Sequence, residues 1–153
     1  MSAVNDVYSL LRLEEGERLF VYDDFTGQPI KAGSHVIGNP TIGVGRNLAS
    51  NGITQDESDA LLTHDIQRWQ VGLTKFVWFN NLDNVRKAAI ISMTHALGLE
   101  GVQQFHDMIA SLSVQDWTNA STAVMQSKWA TEAFARAKRC AVMLLTGQWP
   151  LAG

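Results

Sequence analysis

Apolar residues recur at three-to-four spacing in Val4, Val7, Tyr8 and Leu11, which predicts a first helix over residues 3–14 with Gly16 as its terminator. The pattern then changes. Phe20-Val21-Tyr22, Val36-Ile37 and Thr41-Ile42-Gly43-Val44 are short β-prone runs, punctuated by the turn formers Gly27, Pro29, Gly33, Gly38, Asn39 and Pro40. They predict a small antiparallel sheet in a β-lobe over about 17–50. Helical spacing returns at Thr54. Thr54-Gln55-Asp56-Glu57 is a capping box, in which hydroxyl and carboxylate each satisfy a free backbone N–H. It opens a helix over about 54–75 with Leu61, Leu62, Ile66, Trp69 and Leu73 on one face. The stretch Leu82 to Leu97 is apolar on most sides, as a centrally buried helix is, and Gly98 and Gly101 are expected to end it. Shorter helices over 101–111, 115–125 (opened by Ser113 and Asp116) and 133–145 complete a helical lobe over about 80–150. The prediction is an α+β fold in one domain, 1–153: a small antiparallel β-lobe and a larger all-helical lobe joined by a long helix. A cleft between lobes is the expected ligand site.

Composition narrows the class. The chain has 153 residues, 46% hydrophobic and 18% charged, with no biased tract, which suits one soluble globular domain. The lone Cys140 excludes an internal disulfide, and its neighbours Ala141, Val142 and Met143 mark a buried, inert thiol. Residues 1–13 carry no signal-peptide pattern, and no run approaches the ~18 apolar residues of a membrane span. A cytoplasmic location without stable membrane insertion is expected. The net charge of −3 is uneven: residues 124–153 carry +3 and the remainder −6. A nucleic-acid partner is not expected of such a chain, because it needs a concentrated basic face. His35, His64, His95 and His106 lack metal-site spacing, Gly43-Val44-Gly45 lacks the rest of a phosphate loop, and neither metal nor cofactor is expected.

The candidate chemistry lies near the N-terminus. Glu14, Glu15 and Glu17 sit at the end of the first helix, where negative charge meets the unfavourable end of the dipole, so helix stability does not account for them. Asp23-Asp24 opens a turn, an ordinary place for Asp. A paired carboxylate, one protonated and one ionised, suits hydrolysis of a glycosidic bond. Spacing alone leaves the pair open, since Glu14–Asp23 and Glu15–Asp24 are both nine apart.

The string Glu15-Gly16, Tyr22-x-Asp24 and Thr41-Ile42-Gly43-Val44-Gly45 resembles the phage-type lysozymes of glycoside hydrolase family 24. The likeness continues through Gly52-Ile53-Thr54-Gln55-Asp56-Glu57, Arg86-Lys87-Ala88-Ala89-Ile90-Ile91-Ser92-Met93, Ser127-Lys128-Trp129, Arg136-Ala137-Lys138-Arg139 and Thr146-Gly147-Gln148-Trp149, nearly the whole chain. The resemblance selects Glu15, Asp24 and Thr41 as catalytic residues. It implies a muramidase cleaving the β-1,4 bond between N-acetylmuramic acid and N-acetylglucosamine with inversion. Glu15 is then the general acid, protonated with the help of burial or hydrogen bonding, and Asp24 and Thr41 activate water on the opposite sugar face. Arg136 matches an arginine beside the catalytic Glu, and Arg46, where the family commonly has histidine, is expected to pair with Asp65. The implied protein is a monomeric phage endolysin acting on peptidoglycan strands, held in the host cytoplasm until a holin-like pore gives it access to the wall.

Two departures stand out. Asp24 to Thr41 spans seventeen residues where shorter family members use about six, so residues 25–40 are an insertion, read as a tolerated surface loop ahead of a sugar-binding rim built from Gln28, Lys31, Ser34, His35 and Asn39. The segment Thr94-His95-Ala96-Leu97-Gly98 lacks the amides that often meet glycan there. Trp69, Trp129 and Trp149 are expected in the core, and Phe76-Val77-Trp78-Phe79 in interlobe packing. The rival readings are a virion-associated lysozyme used in entry, a bacterial wall-remodelling enzyme or bacteriocin domain, a lytic transglycosylase, and a peptidoglycan-binding module without catalysis.

Overall fold

A computed structural model describes residues 4–151. In chain order the elements are α1 (Val7–Glu15), β1 (Arg18–Asp23), β2 (Pro40–Gly43), β3 (Arg46–Asn47), α2 (Leu48–Asn51), α3 (Gln55–Leu73), α4 (Val77–Asn80), α5 (Asn84–Gln103), α6 (His106–Ser113), α7 (Trp117–Met125), α8 (Lys128–Glu132) and α9 (Phe134–Thr146). The fold is α+β and lysozyme-like, mostly helical with one small antiparallel sheet. The chain resolves into two compact units, one up to Ser58 and one from Asp59 onward.

The first unit holds the sheet, ordered β1-β2-β3 with antiparallel pairing throughout. Tyr22 lies opposite Thr41, and Arg18 opposite Gly43, with an irregularity between. The expected start of the first helix at residue 3 lies outside the described residues. Asp6 caps α1 by accepting the Ser9 N–H at 2.7 Å, and Gly16 ends it as expected. The capping box also forms: Glu57 accepts the Thr54 N–H at 2.8 Å, while Thr54 Oγ1 accepts the Glu57 N–H at 3.2 Å. Among the described residues up to Ser58, only Asp23 and Thr41 are buried, so polar groups occupy the interior of this unit.

Hydrophobic burial belongs to the second unit. Leu73, Ile90, Met93, Val102, Met108 and Leu144 are fully buried there, each contributing about 1.5–3 kcal/mol. The central helix is buried as its composition predicts, and Thr94 inside it satisfies its hydroxyl on the Ile90 carbonyl at 2.8 Å. Arg86, its side chain 11% exposed, ties the start of α5 to the end of α9. It donates to the Leu144 and Leu145 carbonyls at 2.7 and 3.2 Å, pairs with Asp83 at 2.7 Å and stacks on Trp117 at 3.9 Å. Cys140 is buried with its thiol on the Ala89 carbonyl, and burial pushes its pKa up, so the thiol is inert.

Several expectations are corrected. Val36-Ile37 forms no strand, because the Ile37 N–H is taken by the Asp23 carboxylate at 2.8 Å and not by a neighbouring strand. Gly98 interrupts α5 as expected, with non-helical backbone (φ 76°, ψ 165°), but a further helical stretch containing Gly101 follows it to Gln103, and α6 begins only at His106. α2, α4 and α8 were not foreseen; each is four or five residues long, too short to show a hydrophobic period. On α3 only Leu73 is buried, while Leu61 and Leu62 are about half exposed. Trp129 joins the core and meets Phe105 edge-on, and Trp69 is half-buried with its indole N–H on His95 Nδ1 at 3.2 Å. Trp149 is 63% exposed, contrary to expectation. Phe79 is buried in the second unit's own core, with Phe76 and Trp78 against it.

Candidate active site

Glu15, Asp24 and Thr41 all fall in the first unit. The last residue of α1 is Glu15, which is exposed. It lies across the turn between β2 and β3: a Cβ on Gly45 would stand 2.7 Å from Glu15 Oε2 and 3.2 Å from its Cγ. Gly45 also has φ +69°, which disfavours any other residue, so both backbone and space reserve this position for glycine. The partial burial expected of Glu15 is not supplied by this unit.

The two aspartates that spacing could not separate have opposite environments. Asp23 is buried and its oxygens face backbone donors on every side. Oδ1 accepts N–H groups from Phe25, Thr26 and Gly38 at 2.9, 3.3 and 3.1 Å, and Oδ2 accepts that of Ile37 at 2.8 Å. Burial works to raise its pKa, but these N–H bonds outweigh it and hold the carboxyl below its ordinary value of 3.8. Asp23 is therefore an internal clamp. Asp24 is exposed, and its two oxygens accept the backbone N–H and side-chain amide of Asn39 at 2.7 and 3.2 Å. A solvent-facing carboxyl group with open lone pairs can bind and orient water.

Thr41 is buried in the middle of β2, and its hydroxyl donates to the Asn39 carbonyl at 3.1 Å. The same carbonyl accepts the Asp24 N–H at 3.1 Å. With its one proton committed, the Thr41 oxygen keeps its lone pairs to accept from a water. Sequence reasoning placed Asn39 only among possible rim residues. The signal that marks it is its position two residues before Thr41, at the closing end of the insertion.

Residues 25–40 form a mostly exposed but well-fastened segment. Residues 28–30 run along the outer edge of β1, with Asp23 N–H on the Gln28 carbonyl at 2.9 Å and Ile30 N–H on Val21 at 3.0 Å. Arg18 stacks on Tyr22 at 4.3 Å and donates to the Gly27 carbonyl at 2.8 Å. The return segment is fastened by Asp23 and Asp24.

The supporting residues pair differently from expectation. Arg46 meets Glu57, Nη2 to Oε1 at 2.7 Å and Nη1 to Oε2 at 2.8 Å, and also reaches the Gly52 carbonyl at 3.3 Å. Asp65 pairs with Arg68, one helical turn on. The expected Arg46–Asp65 pair is replaced because the capping box already turns the Glu57 carboxylate toward Thr54 and leaves it open to a planar guanidinium. The Thr54 N–H, with the Arg46 charge, holds the Glu57 carboxyl below its ordinary 4.5 against the effect of burial. Arg136 lies on α9 in the second unit, lining a cavity of about 280 Å³ with Ser92, Arg139 and Trp149. A larger cleft of about 690 Å³ in the same unit is lined by Gln104, Phe105, His106, Gln126, Lys128 and Trp129 among others, a mix of polar and aromatic groups suited to a polar ligand. Among the described residues no group of three or more His, Cys, Asp or Glu converges to hold a metal ion, and no helix is long and apolar enough to cross a membrane.

The profile of a family described as phage lysozyme matches residues 14–140, which run through both units. The chain is similar to the pre-baseplate central spike protein Gp5 of Enterobacteria phage T4, 29% identical over 90% of this chain, which spans 27% of that protein. It is also similar to probable T4-type lysozymes 1 and 2 of Dictyostelium discoideum, each 26% identical over 94% of this chain and 96% of the relative.

Proposed function

We take as premise that this chain belongs to the phage lysozyme family, enzymes of lysozyme type that hydrolyse peptidoglycan, and propose that it cleaves the β-1,4 bond between N-acetylmuramic acid and N-acetylglucosamine with inversion. Glu15 gives its proton to the glycosidic oxygen as the bond from that oxygen to the muramic C1 breaks. A water held by Asp24 and Thr41 adds to C1 from the opposite face and passes its proton to the Asp24 carboxylate. The observation that supports this reading is the division of labour at 23–24: Asp23 is sealed by backbone donors, while Asp24 is exposed and coupled to Thr41 through Asn39. Glu15 is exposed, so a glycan strand can lie over its carboxyl and exclude bulk water from it. Arg46 steadies the sheet against the start of α3.

The biological setting we propose is a monomeric endolysin of a phage, retained in the host cytoplasm and reaching the wall through a holin-like pore. One observation favours a second setting: the relative from phage T4 is a baseplate spike protein, and the same domain in a virion would open the wall during entry.

The deciding test compares wild type with Glu15→Gln on outer-membrane-permeabilised Gram-negative cells, with mass spectrometry of released muropeptides. Lysis and reducing muramic ends are expected for wild type, with both lost in Glu15→Gln. Anhydro ends would instead indicate a transglycosylase. Binding to sacculi with no cleavage by wild type would indicate a recognition module.

A further inference from the structure

We propose that Asn39, near the end of the loop from Asp24 to Thr41, is the positioning residue for both groups that handle the water. The inference rests on the reading of Asp24 and Thr41 given above. Asn39 makes four hydrogen bonds to these two residues. Its backbone N–H and its side-chain amide donate to different oxygens of the Asp24 carboxylate, at 2.7 and 3.2 Å. Its carbonyl accepts from the Asp24 N–H and from the Thr41 hydroxyl, both at 3.1 Å. The carboxylate plane is fixed by two donors, and the hydroxyl proton is turned away from the water site. A carboxylate that presents one settled oxygen and a hydroxyl that presents lone pairs make a water site that need not reorganise during the reaction.

Asn39 is itself held in place. The N–H groups of Ile37 and Gly38, the two residues before it, are fixed on the buried Asp23 carboxylate at 2.8 and 3.1 Å. Gly38 leaves the space that both aspartate carboxyls occupy: a Cβ there would stand 2.7 Å from Asp23 Oδ1 and from Phe25 Cβ, and closer still to Asp24 Oδ1. The order of support is thus Asp23 to Gly38, Gly38 to Asn39, and Asn39 to Asp24 and Thr41. Asn39 touches no reacting atom in this scheme and acts through the two residues it orients.

The test uses Asn39→Ala and the isosteric Asn39→Asp, with kcat and KM measured on solubilised peptidoglycan and melting followed by circular dichroism. Wild type and Glu15→Gln are run alongside. Asn39→Ala keeps the backbone bonds and loses one donor to a charged group, so kcat falls about tenfold with KM and Tm little changed. Asn39→Asp keeps shape but sets a second carboxylate against Asp24, and kcat falls further, to about a hundredth. Wild-type kcat in either variant, or a raised KM at unchanged kcat, overturns the proposal, the latter because it would mark a sugar contact. A readout independent of turnover is hydrogen exchange at the Asn39 backbone amide, protected in wild type and exposed in Asp24→Ala. Unchanged protection would overturn the coupling even if the enzyme proved active. A wild type without hydrolysis but with that protection lost in Asp24→Ala would instead overturn the muramidase reading and leave the coupling standing.

Discussion

The contact between Glu15 and Gly45 gives the most direct test of where the acid must lie. In Gly45→Ala the new methyl carbon would begin 2.7 Å from Glu15 Oε2, about 0.7 Å inside ordinary van der Waals contact. The far end of a flexible side chain relieves such a clash by turning, at about 0.5–1.5 kcal/mol for an off-rotamer torsion. The strain therefore moves the acid more than it destabilises the protein. Catalysis is far less tolerant than stability: a displacement near 1 Å can cost about a hundredfold in rate, so a fall in kcat of about ten- to a hundredfold is expected. Gly45 also has φ +69°, and an alanine there pays about 1–2 kcal/mol for the left-handed backbone.

Gly43→Ala separates these two effects. Gly43 lies in the same hairpin at φ +66°, but a Cβ on it would meet nothing within 4 Å. Both variants should melt a few degrees lower, roughly 2–4 °C for each kcal/mol in a chain of this size. Only Gly45→Ala should lose kcat on solubilised peptidoglycan. Equal losses of kcat in the two variants, or an unimpaired Gly45→Ala, would refute the placement of the acid against this turn.

Two further predictions concern stability. Asp23, Glu57 and Asp83 have folded-state pKa values below their ordinary 3.8, 4.5 and 3.8, so each binds a proton less readily folded than unfolded. Their contribution is complete above those values and is lost as pH falls through the lower, folded ones; Tm should hold from neutral pH to about 5 and drop steeply below about 4. Asp23→Asn should melt lower at neutral pH and show a shallower acid decline, and an unchanged decline would remove Asp23 as its source. Arg86→Ala strips donors from the Leu144 and Leu145 carbonyls and the stacking on Trp117, while the pair with the largely exposed Asp83 adds little. A loss of about 3 kcal/mol in urea unfolding at unchanged m is expected, and a loss under about 1 kcal/mol would show that Arg86 does not tie α5 to α9.

What could be read from sequence alone follows the range of the interactions involved. The end of α1 at Gly16, the capping box at Thr54 and Glu57, the buried α5 and the cap of α7 at Asp116 are set within three or four residues, and all were legible. The elements misread depend on partners far along the chain. Val36-Ile37 has strand composition, yet its backbone answers to a carboxylate fourteen residues earlier. Arg46 chose Glu57 over Asp65, a choice between two acids that no spacing decides. Trp149 looked like core because it is large and apolar, but it lies past the cap of α9 at Gly147, outside every described helix. For the proposed site, residue types and spacing left Glu14–Asp23 and Glu15–Asp24 open and only the family likeness chose Glu15, Asp24 and Thr41, while the Asn39 contacts and the clamp at Asp23 emerge only from contacts fourteen or fifteen residues apart or folded back across a turn.

The same contacts bear on the insertion that the family likeness implies between Asp24 and Thr41. Lengthening the connection from Asp24 to Thr41 from about six residues to about seventeen raises the closure cost by only about 0.9 kcal/mol, because that cost grows with the logarithm of length. Entropy therefore barely opposes the longer loop. The greater hazard is loss of position, since a free loop of this length would leave Asp24 without neighbours. Asp23 removes that hazard. Its carboxylate fixes the departing chain at Phe25 and Thr26 and the returning chain at Ile37 and Gly38, so whatever the middle of the loop does, its two ends are held together beside Asp24. The interior of a β-lobe without a buried apolar residue among those described is thus filled by Asp23 and Thr41, so on the proposed mechanism its stability and its chemistry rest on the same hydrogen bonds.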